Sequence, residues 1–222
     1  MRYILSILPL LLFTACFFDK EVPTKKEEPK KEIKETNITV SEEDKFLLTL
    51  DKKQKELYNN LTIYLSQLKA LNTEEIVNMT YPKFFSVFSE SLFRAQVSTM
   101  VNSSQINIQS FDTNITDIGK VDSFSNGYFS TVAYKSVVTV YFQNPELYNT
   151  ESSLNTLYSI LVRKYGIDNI YVDVKNRLIT IKKDVKMLAI KENSDDWKFI
   201  GDNKEYREFY PNFLPYDILD KI

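Results

Sequence analysis

Apolar residues recur every three or four positions from Ser41 to Leu71, and this spacing predicts one long amphipathic helix. The Ser41 hydroxyl can cap its start, and the acidic residues that follow suit the positive end of the helix dipole. A second helix is predicted to open at Thr73, with its apolar period continuing to Val97. Because Pro82 falls inside this period, the helix must either kink there or restart with the proline as its first residue.

Beyond Asn102 the apolar period shortens to about two residues, which is the period of β-strands. The first strand is predicted from Ile106 to Ile118. After a turn at residues 125–127, alternation is strongest from Tyr128 to Phe142, a length typical of strongly curved sheets. The apolar face of this strand is formed by Tyr128, Val132, Tyr134, Val138, Val140 and Phe142.

The second half of the chain alternates between a helix and short strands. A helix is predicted from Ser152 to Tyr165, with Gly166 as its terminating residue. Residues 185–191 either extend the preceding strand or add another. The remaining predicted elements are a hairpin of Ile170–Val174 and Leu178–Lys182, a strand at residues 197–200, and a helical turn at Pro215–Leu219 packed on the body.

Helices first and strands afterwards is the order of an α+β domain, in which helices lie on one face of an antiparallel sheet. We predict one such domain at residues 41–222. Over residues 45–205 this element order resembles the cone-shaped fold of nuclear transport factor 2 and the ketosteroid isomerase-like proteins. The stretches Leu71–Phe85 and Leu214–Leu219 also resemble segments of small bacterial proteins with this cone.

The N-terminal apolar run, Ile4–Phe13, follows Arg2 and holds about ten residues, whereas a membrane-spanning helix needs about 20. It leads into Leu12-Phe13-Thr14-Ala15-Cys16, which resembles the lipobox of bacterial lipoproteins. The resemblance implies that residues 1–15 are a cleaved signal peptide and that the Cys16 thiol carries lipid. The alternatives are a signal peptide without lipidation and a buried helix, and Pro9 disfavours the helix.

Residues 16–40 are rich in Lys, Glu and Pro and have few apolar residues, which predicts a disordered tether. A flexible chain of this kind spans about 25 Å on average. Its lysines could instead bind lipid headgroups, although the interleaved Glu residues oppose this. No Asp directly follows Cys16, and in enterobacterial lipoproteins such an Asp retains the protein at the inner membrane. The cell envelope is therefore the predicted location, with the outer membrane favoured.

Composition narrows the chemistry. The net charge of −2 offers no basic surface for nucleic acid. The chain has no His and one Cys, so the commonest zinc ligands and general bases are missing, and we predict neither a metal nor a cofactor. The four glycines form no phosphate-binding loop. Apolar residues, at 43% of the chain, are sufficient for a sizeable core.

Candidate site residues within the domain are few. Tyr134 and Trp197 could line the mouth of a cone, although each also fits simple core packing. Isomerase-like cones use an Asp base in an apolar pocket, and Asp173 lies between two valines, but strand alternation favours its exposure to solvent. We predict a lipid-anchored, non-catalytic module that binds an envelope protein or a small apolar ligand. The alternative is a cyclase or isomerase acting on a small molecule.

Overall fold

The computed structural model describes residues 42–144, 150–193, 196–202 and 204–222, so the predicted signal peptide, the lipidated cysteine and the whole tether lie outside it. The helices are α1 (Glu42–Thr49), α2 (Lys52–Lys69), α3 (Thr73–Met79), α4 (Glu90–Val101), α5 (Glu151–Tyr165) and α6 (Tyr216–Leu219). The strands are β1 (Ile106–Ile118), β2 (Asp122–Phe124), β3 (Gly127–Phe142), β4 (Ile170–Asp173), β5 (Leu178–Glu192) and β6 (Lys198–Gly201). Short 3-10 helices lie at Pro82–Ser86, Ile167–Asn169 and Lys204–Asn212.

The strands form one antiparallel sheet with the order β1-β3-β5-β4, and β2 and β6 pair with β3 and β5 respectively. All 15 residues of β5 pair with β3 in unbroken register. The ladder between β1 and β3 shifts register at Ile108/Ser110 and at Ile115/Asp117. Such irregularities increase local twist and bend a strand. The predicted α+β architecture with an antiparallel sheet is confirmed.

The prediction of one helix over residues 41–71 is wrong, because α1 and α2 are separated at Leu50 and Asp51. Asp51 and Gln54 form a capping box, in which each side chain accepts a hydrogen bond from the backbone N–H of the other, at 2.9 and 3.0 Å. This local signal starts a new helix although the apolar period continues. The restart at Pro82 is confirmed as a 3-10 helix, and α4 then begins separately behind the cap Ser89.

The strand predictions stand with three refinements. The first strand has the predicted bounds, and the long strand β3 begins one residue earlier than expected, at Gly127. Residues 178–182 and 185–191 belong to one continuous strand, β5. The three-residue strand β2 was missed, because three residues are too short to show a period.

The main core lies between the helices and one face of the sheet. Even-numbered residues of β3 and odd-numbered residues of β5 point towards it, and helix α2 contributes its buried stripe. The buried members of the main core include Leu57, Leu61, Leu65, Val132, Val140, Ile179, Val185 and Phe199.

A second core covers the opposite face at one end of the sheet, where the C-terminal segment folds back. Its strand residues are Phe129, Leu188 and Ile190, which have the opposite parity to the main-core residues. The predicted C-terminal helical turn is confirmed as α6, and its Ile218 is fully buried. The second core consists of Tyr81, Phe84, Phe124, Phe129, Leu188, Ile190, Ile200, Tyr210, Phe213, Leu214 and Ile218.

Candidate functional site

An apolar cavity of about 80 Å³ lies between helices α2, α3 and α4 and strands β1, β3 and β6. Most of its wall is aliphatic or aromatic, and none of the residues that line it carries a charge. Leu71 and Phe93 are half-buried, whereas the other side chains of the wall are buried. The cavity is lined by Tyr64, Leu68, Leu71, Ile76, Thr80, Phe84, Phe93, Val97, Met100, Phe111, Ser136, Val138, Phe199, Ile200, Gly201 and Tyr210.

Four hydroxyl groups belong to the lining residues, and two of them are bound within the protein. The Thr80 hydroxyl donates to the carbonyl of Ile76 at 2.7 Å, which is the usual back-bond of a threonine at the end of a helix. The Tyr210 hydroxyl donates to the carbonyl of Gly201 at 3.0 Å. These two groups therefore complete the protein's own hydrogen bonding.

The other two hydroxyls, those of Tyr64 and Ser136, form no hydrogen bond with another described residue. Both side chains are well buried, since Tyr64 is 4% and Ser136 is 6% exposed. Ser130 lies on the same face of β3, and its hydroxyl does have a partner, the carbonyl of Gly119 at 2.9 Å. Polar groups of buried side chains are normally paired, so Tyr64 and Ser136 differ from their nearest counterparts. Their hydroxyl oxygens are not among the fully enclosed polar atoms that lack a partner, which means that they keep some accessible surface.

Rigid elements position both of these side chains. Tyr64 lies on the buried stripe of α2, and its ring stacks on Phe199 of β6 at a centroid distance of 4.8 Å. Ser136 is in the middle of β3, paired with β1 on one side and β5 on the other. Burial raises the pKa of Tyr64, so its hydroxyl remains a hydrogen-bond donor across the physiological pH range.

Leu71, at the half-buried part of the wall, has an unfavourable backbone conformation. Its φ angle of 52° lies in the left-handed region, where a Cβ atom costs about 1–2 kcal/mol. The N–H of Asn72 donates to the carbonyl of Gln67 at 3.0 Å, as in the helix-ending motif that usually has glycine at this position. A leucine here gives the cavity an apolar side chain that glycine would lack.

The structure places Tyr134 and Trp197 in the main core, and neither is among the residues that line the cavity. They are 1% and 2% exposed. Tyr134 lies one inward position along β3 from Ser136, opposite Val185, where the core is filled. The indole N–H of Trp197 is buried without a hydrogen-bond partner among the described residues.

Asp173 is exposed, as strand alternation predicts, and it stabilises the hairpin turn between β4 and β5. Its carboxylate accepts hydrogen bonds from the backbone N–H and the side-chain amide of Asn176, at 3.0 and 2.7 Å. These bonds from Asn176 lower the pKa of Asp173. The residue has the contacts of a turn carboxylate and lies outside the cavity wall.

Within the described ranges, no group of three or more metal-ligating side chains comes together. None of the helices in those ranges is both long and apolar enough to cross a membrane.

Sequence reasoning missed Tyr64 and Ser136 as site residues, for different reasons. Tyr64 continues the apolar stripe of α2, so its pattern indicates only core packing. Ser136 did carry a signal, because it is a polar residue at an inward position of the long strand. That signal shows where a polar group is buried, whereas the cavity beside it depends on helices α2 to α4.

Comparison with protein-family models, with curated proteins and with solved structures gave no match for this chain.

Proposed function

We propose that this chain is a lipid-anchored cell-envelope protein whose domain is a non-catalytic binding module, with the cavity as its ligand site. The observation that carries the binding role is an apolar wall with two hydroxyl groups, on the buried side chains of Tyr64 and Ser136, that have no partner among the described residues. Small-molecule sites usually combine an apolar lining with a few placed polar groups. The wall of this cavity has that composition.

Binding is favoured over catalysis by the chemistry of the wall. A cyclase or isomerase needs a group that can accept a proton near neutral pH. The lining residues include no carboxylate, amine or thiol side chain, and burial raises the pKa of Tyr64 further from neutrality. The wall is suited to holding an uncharged group.

The location at the envelope rests on the resemblance of Leu12–Cys16 to a lipobox. The described domain begins at Glu42, so 26 positions separate it from Cys16. As a flexible tether, this segment would let the domain bind a ligand within about 25 Å of the membrane. In this proposal the resemblance to the nuclear transport factor 2 cone concerns the fold alone.

Lipidation is tested by expressing the full chain and Cys16→Ser in bacteria fed with labelled palmitate. We expect wild type to incorporate label and to pellet with membranes, whereas Cys16→Ser does neither. Phe13→Leu is a useful control because it restores the residue that is usual in a lipobox, and it should be processed at least as well as wild type. The anchor is refuted if wild type takes up no label and Cys16→Ser still pellets.

Occupancy of the cavity is tested with xenon, which enters dry apolar cavities. We expect xenon to shift the methyl NMR signals of Leu68, Met100 and Val138, which line the cavity, more than that of Ile218 in the second core. Equal shifts at all four methyl-bearing residues, or none, would contradict an accessible binding site.

A further inference from the structure

The two hydroxyls at the cavity are the feature of the described structure that most directly indicates a ligand's chemistry. Three other hydroxyls of buried side chains nearby are paired: Thr80 with Ile76, Tyr210 with Gly201, and Ser130 with Gly119. Of these five hydroxyls, those of Tyr64 and Ser136 have no hydrogen-bond partner among the residues that the structure describes. Both residues border the same space.

We propose that the cavity binds a small uncharged molecule through a carbonyl or hydroxyl oxygen, which accepts a hydrogen bond from Tyr64 and pairs with Ser136. This inference rests on the proposed binding function and names the class of ligand. A tyrosine hydroxyl that stays protonated is a donor, and a serine hydroxyl can donate or accept. An oxygen atom on a short apolar molecule satisfies both groups.

The wall discriminates against charged ligands. A carboxylate brought into the cavity would lose its hydration and meet no cationic side chain among the lining residues. Burial of an unpaired charge is strongly unfavourable. Fatty acids and amino acids are therefore poor ligands, whereas ketones, aldehydes and alcohols of similar shape are suitable.

The volume limits the size of the bound group. An engineered apolar cavity of about 150 Å³ admits benzene, so about 80 Å³ accepts a smaller group of a few heavy atoms. A longer ligand has to extend from the wall where Leu71 and Phe93 are half-buried. The inference accordingly concerns short-chain carbonyl compounds and alcohols, or the end of a longer chain that carries such a group.

Three probes of nearly equal shape separate the contributions to binding: butan-2-one, propanoate and 2-methylbut-1-ene. They are titrated into the isotope-labelled protein, and dissociation constants are taken from NMR shifts of the cavity residues. We expect butan-2-one to bind more tightly than the alkene by about 2–10-fold, which corresponds to the net free energy of about one hydrogen bond. Propanoate should bind more weakly than either.

Matched variants locate the hydrogen bonds. Tyr64→Phe and Ser136→Ala should each weaken the binding of butan-2-one by about 2–10-fold and leave the affinity for the alkene unchanged. Tyr81→Phe and Ser130→Ala make the same chemical changes at hydroxyls that are already paired and lie outside the cavity wall, and they should leave the butan-2-one affinity within about two-fold. Folding of each variant is confirmed by its amide NMR spectrum.

The possible results distinguish a failure of the polar recognition from a failure of the proposed binding site. If xenon and the alkene enter but butan-2-one binds no more tightly than the alkene, the polar recognition is wrong and the apolar binding site stands. Equal butan-2-one affinity in wild type, Tyr64→Phe and Ser136→Ala overturns the assignment of those two residues, as would propanoate binding as tightly as butan-2-one. If neither xenon nor any probe perturbs the cavity residues, both proposals fail.

Discussion

The two cores of this domain differ in the hydrogen bonding of their polar groups. In the second core, the Tyr81 hydroxyl donates to the carboxylate of Glu192 at 2.9 Å, and Tyr210 donates to Gly201. In the main core, the hydroxyls of Tyr64 and Ser136 and the indole of Trp197 form no hydrogen bond with a described residue. The named groups of the second core are therefore paired within the protein, whereas these three groups of the main core have no partner among the described residues.

Their construction explains the difference. The second core is closed by the C-terminal segment, whose aromatic rings interlock with those of the 3-10 helix at Pro82–Ser86. Phe213 contacts Phe84 with ring centroids 5.9 Å apart, and Tyr210 contacts Phe213 at 5.7 Å. The main core instead lies under helices α2 to α5 on a bent sheet, and the cavity remains where α2, α3 and α4 meet the sheet. The cavity is lined mainly by main-core residues, and Phe84, Ile200 and Tyr210 of the second core complete its wall.

The largest expected effect comes from removing the buried anchor of α6. Ile218→Ala should lower the free energy of unfolding by about 2–5 kcal/mol, because it leaves a void at a fully buried position. Tyr216→Ala is the control, since Tyr216 belongs to the same helix but is 77% exposed. Urea denaturation measures both. A loss below about 1 kcal/mol for Ile218→Ala would show that the C-terminal segment contributes little to stability.

A tyrosine pair tests the hydrogen-bonding contrast. Tyr81→Phe should cost about 1.5–3 kcal/mol of unfolding free energy, because the carboxylate of Glu192 loses a donor. Tyr64→Phe should change stability by less than about 0.5 kcal/mol or raise it, since the lost hydroxyl has no partner among the described residues. Equal losses in the two variants, measured by urea denaturation, would contradict the distinction between the cores.

A larger side chain should raise the stability of the protein when it is placed at the cavity and lower it when it is placed in the second core. Val97→Leu extends a residue into the cavity, and we expect it to raise the unfolding free energy by about 0.5–1 kcal/mol. Leu188→Phe enlarges a fully buried residue of the second core and should cost about 1–3 kcal/mol. Thermal denaturation provides the measurement. If both variants lower the melting temperature equally, the cavity does not provide usable space.

The smallest effect concerns alkaline pH. Burial raises the pKa of both Tyr64 and Tyr81, and Glu192 raises that of Tyr81 further. A raised pKa in the folded state stabilises the protein fully below the unfolded value of about 10, and this contribution is lost as pH rises above it. Stability should therefore fall above about pH 10, and less steeply in Tyr64→Phe and Tyr81→Phe. Identical slopes in wild type and both variants, from urea midpoints at several pH values, would refute this.

Local patterns predicted most of the elements. The bounds of β1, the turn before β3, the end of α5 at Gly166 and the final helical turn all follow from alternation, glycine chemistry or proline chemistry. The break between α1 and α2 was within reach as well, because Asp51 and Gln54 have the spacing of a capping box. The apolar period runs through that break and hid it.

Features that depend on residues distant in the chain were harder to predict from the sequence. The sequence left open whether residues 185–191 extend the preceding strand or form another, and the pairing of all 15 residues of β5 with β3 shows one strand that runs through Lys183 and Asp184. The second core depends on the C-terminal segment crossing to the other face of the sheet, and the sequence shows only that this segment is apolar. Tyr134 and Trp197 were proposed because of their residue types, whereas the filled main core around them depends on neighbours distant in the chain.

By itself, the sequence determined the element types, the α+β class and the motif at Cys16, because these depend on neighbouring residues and on periods of two or about 3.6. Only the tertiary structure decided which buried hydroxyls found partners and where space remained. In the sequence, Tyr64 and Tyr210 both look like tyrosines of an apolar core. Both line the cavity, and they differ because the fold brings the carbonyl oxygen of Gly201 to Tyr210 and no acceptor among the described residues to Tyr64.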